Sequence, residues 1–127
     1  MRENGGVREQ VRGLLLAVGC AAGCVVATGC HSLPPPTPLS QLNAQQMQGH
    51  AVYQGQCAVC HYDRRDAKLH GPPLLGMYRK PYLPSGAPAN DERVTATILH
   101  GRNMMPPMGN TISQQDLDDL LAYLHTL

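Results

Sequence analysis

Five consecutive residues, Cys57-Ala58-Val59-Cys60-His61, constrain this 127-residue chain more than any other stretch. On a helix, Cys57, Cys60 and His61 fall at i, i+3 and i+4 and project from one face. That geometry suits haem. Two thiols bond covalently to two vinyl groups, the adjacent imidazole ligates the iron, and the spacing is the attachment signature of c-type haem. Other readings stand beside it. The Cys pair is half of a zinc site, although no second pair follows it. It is also a dithiol redox motif, although the strand–helix–strand context of thioredoxin is missing, or a structural disulfide.

The rest of the chain shows why a cofactor is needed. Trp and Phe are absent and Tyr supplies all five aromatics. A domain this small is marginal without help, and its apolar core is thin. Helix signals come at both ends of residues 44–127. Ser113 and Asp116 form a capping-box pattern. Leu117, Leu120, Leu121 and Leu124 then make one apolar face at i, i+3, i+4 and i+7. Residues 45–60 carry Gly49, Tyr53, Cys57 and Cys60 about one turn apart. A middle helix is predicted over 91–100, capped by Asn90 or Asp91, with Val94 and Ile98 inward and Gly101 at its end. Between these lie stretches rich in Gly and Pro at 62–76, 80–90 and 101–110. No alternating run is long enough for a strand. The fold class is all-α, with loops so long that they must wrap something.

Charge removes other functions. Net charge is +1 and charged residues make up 15%, far from the basic excess that nucleic-acid binding requires. Residues 1–12 carry Arg2, Arg8 and Arg12, and residues 13–29 carry no charge, so 1–29 reads as an export signal. A retained membrane helix is the rival, at the short limit for a span. The stretch ends in Ala27-Thr28-Gly29-Cys30, which resembles the lipobox of bacterial lipoproteins, with Ala27 where Leu is usual. The resemblance implies cleavage before Cys30 and its acylation. Residues 30–43 hold four Pro between Pro34 and Pro38. They are expected as an extended, poorly ordered tether, about ten residues at roughly 3 Å each. Ten basic residues less Arg2, Arg8 and Arg12, and nine acidic less Glu3 and Glu9, leave seven of each sign on the exported part. Basic residues concentrate in 63–80, after the Cys pair, and are expected to steer a partner.

Downstream motifs give the order Cys57-x-x-Cys60-His61, then Gly71-Pro72-Pro73-Leu74, then Met105-Pro106, then a terminal helix carrying Tyr123-Leu124. Over residues 44–127 this resembles the class I monohaem cytochromes c of bacteria. The resemblance implies a small cytochrome c fold, three to five helices with long loops around one covalent haem c. It makes Cys57 and Cys60 the thioether residues and His61 the proximal iron ligand. It makes Pro72 the carbonyl acceptor of the His61 Nδ1–H, Leu74 a packing residue on the haem face, and Met105 the distal ligand. It also sets Gly49 and Tyr53 against Tyr123 where the terminal helices cross. Met104 and Met108 compete with Met105, and His100 is the histidine rival. Tyr78, Arg79, Lys80, Tyr82 and Arg102 are weaker candidates for the haem propionates.

The expected function is single-electron transfer in the bacterial cell envelope, as a shuttle or as a subunit of a dehydrogenase or oxidase. The chain is expected not to be an enzyme. Partners are redox proteins and, through Cys30, a membrane, with no nucleic acid and no small-molecule substrate. The expected place is the periplasmic side of a bacterial membrane, the outer one favoured because His31 rather than Asp follows Cys30. Without lipid the chain is soluble in the periplasm. The alternatives are a haem enzyme or gas or peroxide sensor with a displaceable distal ligand, and a haem-free thiol or zinc module.

Overall fold

The computed structural model describes residues 33–127. The export signal expected over 1–29 and the acylation expected at Cys30 fall outside the described residues. Among the described residues three α-helices form the frame: α1 (Ala44–Gln56), α2 (Asp91–His100) and α3 (Gln114–Leu124). Short 3₁₀ turns stand at Leu39–Gln41 and Met77–Arg79. Extended pairing among the described residues is confined to two isolated bridges, Tyr82 with Pro88 and Arg102 with Met105. The architecture is all-α, as expected.

Each helix starts where a side chain closes its first turn. Asn43 and Gln46 make a full reciprocal box on α1: the Asn43 side chain accepts the Gln46 N–H at 2.9 Å, and the Gln46 side chain accepts the Asn43 N–H at 3.0 Å. The sequence reading missed this box. Asn90 caps α2 by accepting the Arg93 N–H at 3.0 Å. The box expected at Ser113 is only half formed. Its hydroxyl accepts the Asp116 N–H at 3.1 Å but donates to the Asp116 carboxylate at 2.7 Å. That carboxylate is spent on the hydroxyl rather than on the Ser113 N–H. Gly101 follows α2 at φ 71°, a region that costs Gly little.

The core gathers where α1 and α3 cross. Buried Tyr53 meets Leu117, Leu120, Tyr123, Leu124 and Leu127, with Val94 and Ile98 added from α2. The predicted Leu face of α3 is therefore its core face, with Leu121 half-buried beside it. Gly49 makes the crossing close. A Cβ at Gly49 would overlap the Asp119 carbonyl and come within 2.8 Å of the Tyr123 Cβ.

The Pro-rich segment departs from expectation. It is extended, but from Leu33 onward it belongs to the compact unit Leu33–Leu127. The Thr37 N–H donates to the Thr126 carbonyl at 2.8 Å, and Arg79 donates to the Pro34 carbonyl at 2.7 Å. These residues are thus docked rather than a free tether. The polyproline conformation leaves backbone groups unpaired along its length, and neighbouring donors and acceptors take them.

A small polar cluster joins the start of α2 to the end of α3. His125 Nε2 lies 2.8 Å from the Asp91 carboxylate, and the His125 ring stacks on Tyr78 at 3.9 Å. Burial works to raise the Asp91 pKa, but the Tyr78 hydroxyl and the His125 ring outweigh it and hold the carboxyl below its ordinary value. A depressed carboxyl stabilises the fold above its unfolded pKa, and that contribution is lost as pH falls through the folded pKa.

Gly49→Ala should lower stability by about 2 kcal/mol or more, because the added methyl meets backbone that cannot swing aside; denaturant unfolding of the haem-loaded protein measures it. Asp91→Asn should flatten the fall in melting temperature below about pH 4, modestly, because the pair is exposed. A wild-type-like acid slope in the variant would refute that linkage.

Candidate functional site

The Cys57–His61 motif lies just past α1, not on it. The helix ends at Gln56, and Cys57 stands at its cap with φ −113°. The Ala58 N–H still reaches back to the Tyr53 carbonyl at 3.0 Å, and both Cys60 and His61 donate to the Cys57 carbonyl at 3.0 Å. One further turn therefore continues with altered spacing. It keeps the three residues together, so the argument from i, i+3 and i+4 survives the loss of the helix.

Three hydrogen bonds hold the imidazole and its loop. In the first, His61 Nδ1 lies 2.8 Å from the Pro72 carbonyl. A carbonyl only accepts, so Nδ1 carries the proton and Nε2 keeps its lone pair. Gly71 permits this approach, since a Cβ there would stand 2.6 Å from His61 Nδ1. In the other two, the Tyr53 hydroxyl donates to the His61 carbonyl at 2.7 Å, and the Tyr123 hydroxyl donates to the Asp63 carboxylate at 2.5 Å. Burial, then the Asp63 charge, pushes the Tyr53 pKa up to about 12. Both tyrosines of the helix crossing thus hold the loop that carries His61. The sequence reading gave them only a packing role, and their hydroxyls offer no signal in a single sequence.

The thiols argue against two alternatives. Cys57 and Cys60 are both free. Burial and the neighbouring Cys60 push the Cys57 pKa up to about 11. Dithiol oxidoreductases need the opposite shift, toward a reactive thiolate. Among the described residues no three His, Cys, Asp or Glu side chains are placed to hold one metal ion.

The remaining expected residues separate by burial. Leu74 is half-buried against the core, and its N–H donates to the Tyr62 carbonyl at 2.8 Å. Met104 is 91% exposed, whereas Met105 and Met108 pack against the core. A tight reversal sorts them. Arg102 and Met105 exchange both backbone bonds, at 3.0 and 2.9 Å, with Asn103 at φ 53° and Met104 at the tip. His100 and His70 are exposed. His100 lines a shallow cleft with Leu99, Pro107, Gly109 and Asn110. Tyr82, Lys80 and Arg102 are exposed. Tyr78 is turned to His125, and Arg79 to Pro34.

The donor set fits covalent haem: two adjacent free thiols, a histidine with its second nitrogen already bonded, and an inward methionine on a separate loop. Comparison with known proteins agrees. Residues 44–124 match the family described as cytochrome c oxidase, cbb3-type, subunit III. The chain belongs to this cytochrome c family. It is also 28% identical to cytochrome c6 of Picosynechococcus sp. over 79 residues, covering 60% of this chain and 68% of that protein. The cytochrome accordingly carries covalent haem c and is an electron carrier rather than an enzyme. No helix among the described residues is long and apolar enough to cross a membrane.

Tyr53→Phe should cost this cytochrome about 1–3 kcal/mol, because the His61 carbonyl loses its partner. Urea unfolding of the haem-loaded protein gives the value. A neutral substitution would show that water replaces the hydroxyl.

Proposed function

We propose that the chain is a membrane-tethered monohaem cytochrome that moves single electrons in the bacterial cell envelope, with His61 and Met105 as the residues that would hold the iron and Cys57 and Cys60 as the thioether residues. Acylation at Cys30 supplies the tether in this reading. The observation that carries it is the bond between His61 Nδ1 and the Pro72 carbonyl, 2.8 Å long. It commits one ring nitrogen to the protein, leaves Nε2 for iron, and makes the imidazole a stronger ligand.

Haem, when bound, supplies an iron that gains and loses one electron. The protein's own residues decide what else that iron can do. Met105 is favoured over Met104 because Met104 stands in solvent. It is favoured over Met108 because it stands directly before Pro106, where the family resemblance places the distal ligand. With His61 and Met105 both held to the iron, it would serve electron transfer rather than substrate binding. The thioether favours the ferrous state and raises the potential relative to two imidazoles. Leu74, packed against the core, serves as an apolar wall for the cofactor.

The ferric protein should show the weak far-red charge-transfer band of sulfur-to-iron ligation. Met105→Ala should abolish the band, lower the potential and let the ferrous form bind carbon monoxide. Met104→Ala and Met108→Ala should keep it. Loss of the band in Met108→Ala instead would move the ligand to Met108. A wild-type spectrum of two imidazoles would bring His100 forward, and rapid carbon monoxide binding by wild-type protein would turn the reading toward a sensor or haem enzyme.

A further inference from the structure

The loop after His61 is held by more than the helix crossing. Asp63 stands just beyond the imidazole, and both oxygens of its carboxylate are taken. One accepts the Arg64 N–H at 2.8 Å, and the other accepts the Tyr123 hydroxyl. The Arg64 side chain reaches the Pro-rich segment, where its Nη2 donates to the Thr37 carbonyl. Burial and the Asp63 carboxylate raise the Tyr123 pKa, and the Arg64 guanidinium beside the hydroxyl works against them. Segment, α3 and the ligand loop therefore share one polar cluster.

A guanidinium is a costly fastening for a half-exposed segment. Its other terminal nitrogen, Nη1, is buried and has no hydrogen-bond partner among the described residues. A buried donor without an acceptor is unfavourable, the more so when it is charged. The side chain therefore stays inside only while its remaining contacts hold it. Thr37 supplies one of these from 27 residues away. The segment is fixed on both sides of that carbonyl. The Thr37 N–H donates to the Thr126 carbonyl at 2.8 Å, and Arg79 donates to the Pro34 carbonyl at 2.7 Å. Undocking would release the guanidinium to water and loosen Asp63 from Tyr123.

We infer that Arg64 is a positioning residue for the iron ligand His61, and that the docked Pro-rich segment acts on the iron site through it. This rests on His61 as the ligand, as proposed above. With Arg64 inside, Asp63 is anchored to α3 while Tyr53 holds the His61 carbonyl from α1. The imidazole then has fixed backbone behind it and the Pro72 carbonyl on its ring. Such outer contacts orient a ligand and tune its metal. The guanidinium also keeps its charge near the ligand loop, in an interior that screens charge poorly. A fixed cation there favours the ferrous state, which carries one positive charge fewer.

The test is a double-mutant cycle on the full haem-loaded chain, with Thr37→Pro and Arg64→Gln. Thr37→Pro removes the N–H bonded to Thr126, keeps the extended backbone, and leaves every residue of the iron site in place. Two signals are read: the reduction equilibrium against a dye couple, and the hyperfine-shifted His61 proton resonances of the ferric protein. Each single variant should move the resonances and shift the equilibrium about three-fold or more toward the oxidised form. In the Arg64→Gln background, Thr37→Pro should add little. Arg64→Lys, which keeps the charge and one donor, should give a smaller shift, and it replaces Arg64→Gln in the cycle if that variant fails to load haem. Single variants that unfold more easily but keep both signals would reduce Arg64 to a structural residue and overturn the inference. Fully additive shifts would show that the segment acts by another route, and would overturn it too. Wild-type protein without hyperfine-shifted imidazole resonances would overturn His61 as the ligand, and the role of Arg64 with it.

Discussion

The close crossing of α1 and α3 at Gly49 is the contact on which the rest depends. A glycine there lets the Asp119 carbonyl and the Tyr123 Cβ come nearer than any other side chain allows. That approach brings Tyr53 and Tyr123 together, with ring centroids 5.9 Å apart. Their hydroxyls then reach out of the core to the His61 carbonyl and the Asp63 carboxylate. One small residue thus sets the helix distance, the helix distance sets two phenols, and the phenols set the loop bearing His61. Pro72 and Gly71 complete the hold on the imidazole from the far side.

Much of this frame was legible because it is written in local chemistry. Asn90, Gly101 and the Leu stripe of α3 act within one or two helical turns, so spacing alone reveals them. The order of Cys57–His61, Pro72 and Met105 is likewise one-dimensional. The hidden part is tertiary. The end of α1 at Gln56 has no stop signal: Gly55 is exposed and meets nothing, and the turn beyond keeps the spacing of the Cys residues. The half-formed box at Ser113 depends on a choice between two donors for one carboxylate. The docking of the Pro-rich segment hid most completely. A run of proline is extended whether free or docked, and its partners come from residues 64, 79 and 126, far along the chain.

The long loops bury little apolar surface of their own. The buried core is eight residues gathered at the helix crossing, and Leu74, Met105 and Met108 pack against it half-buried. Backbone bonds tie those loops at their ends. Met108 donates to the Ile98 carbonyl at 2.9 Å, Gly109 to the Leu99 carbonyl at 3.1 Å, and Leu74 to the Tyr62 carbonyl. Between such ties, Met105, Met108 and Leu74 stay only half-buried. In the proposed reading the covalent haem covers them, which accounts for loops this long in a small helical domain.

The Pro-rich segment also bears on the electrostatics of encounter. The basic stretch 63–80 reads in sequence as five positive charges against two negative. In the fold, Arg64 and Arg79 donate to carbonyls of that segment, and Arg65 lies 3.5 Å over the Tyr62 ring. Carbonyls and a ring leave each guanidinium its charge, so all five cations remain. Residues 33–127 carry seven basic and seven acidic side chains, so the field of this patch acts within about one Debye length, roughly 8 Å at physiological salt. Electron transfer should therefore slow modestly as ionic strength rises.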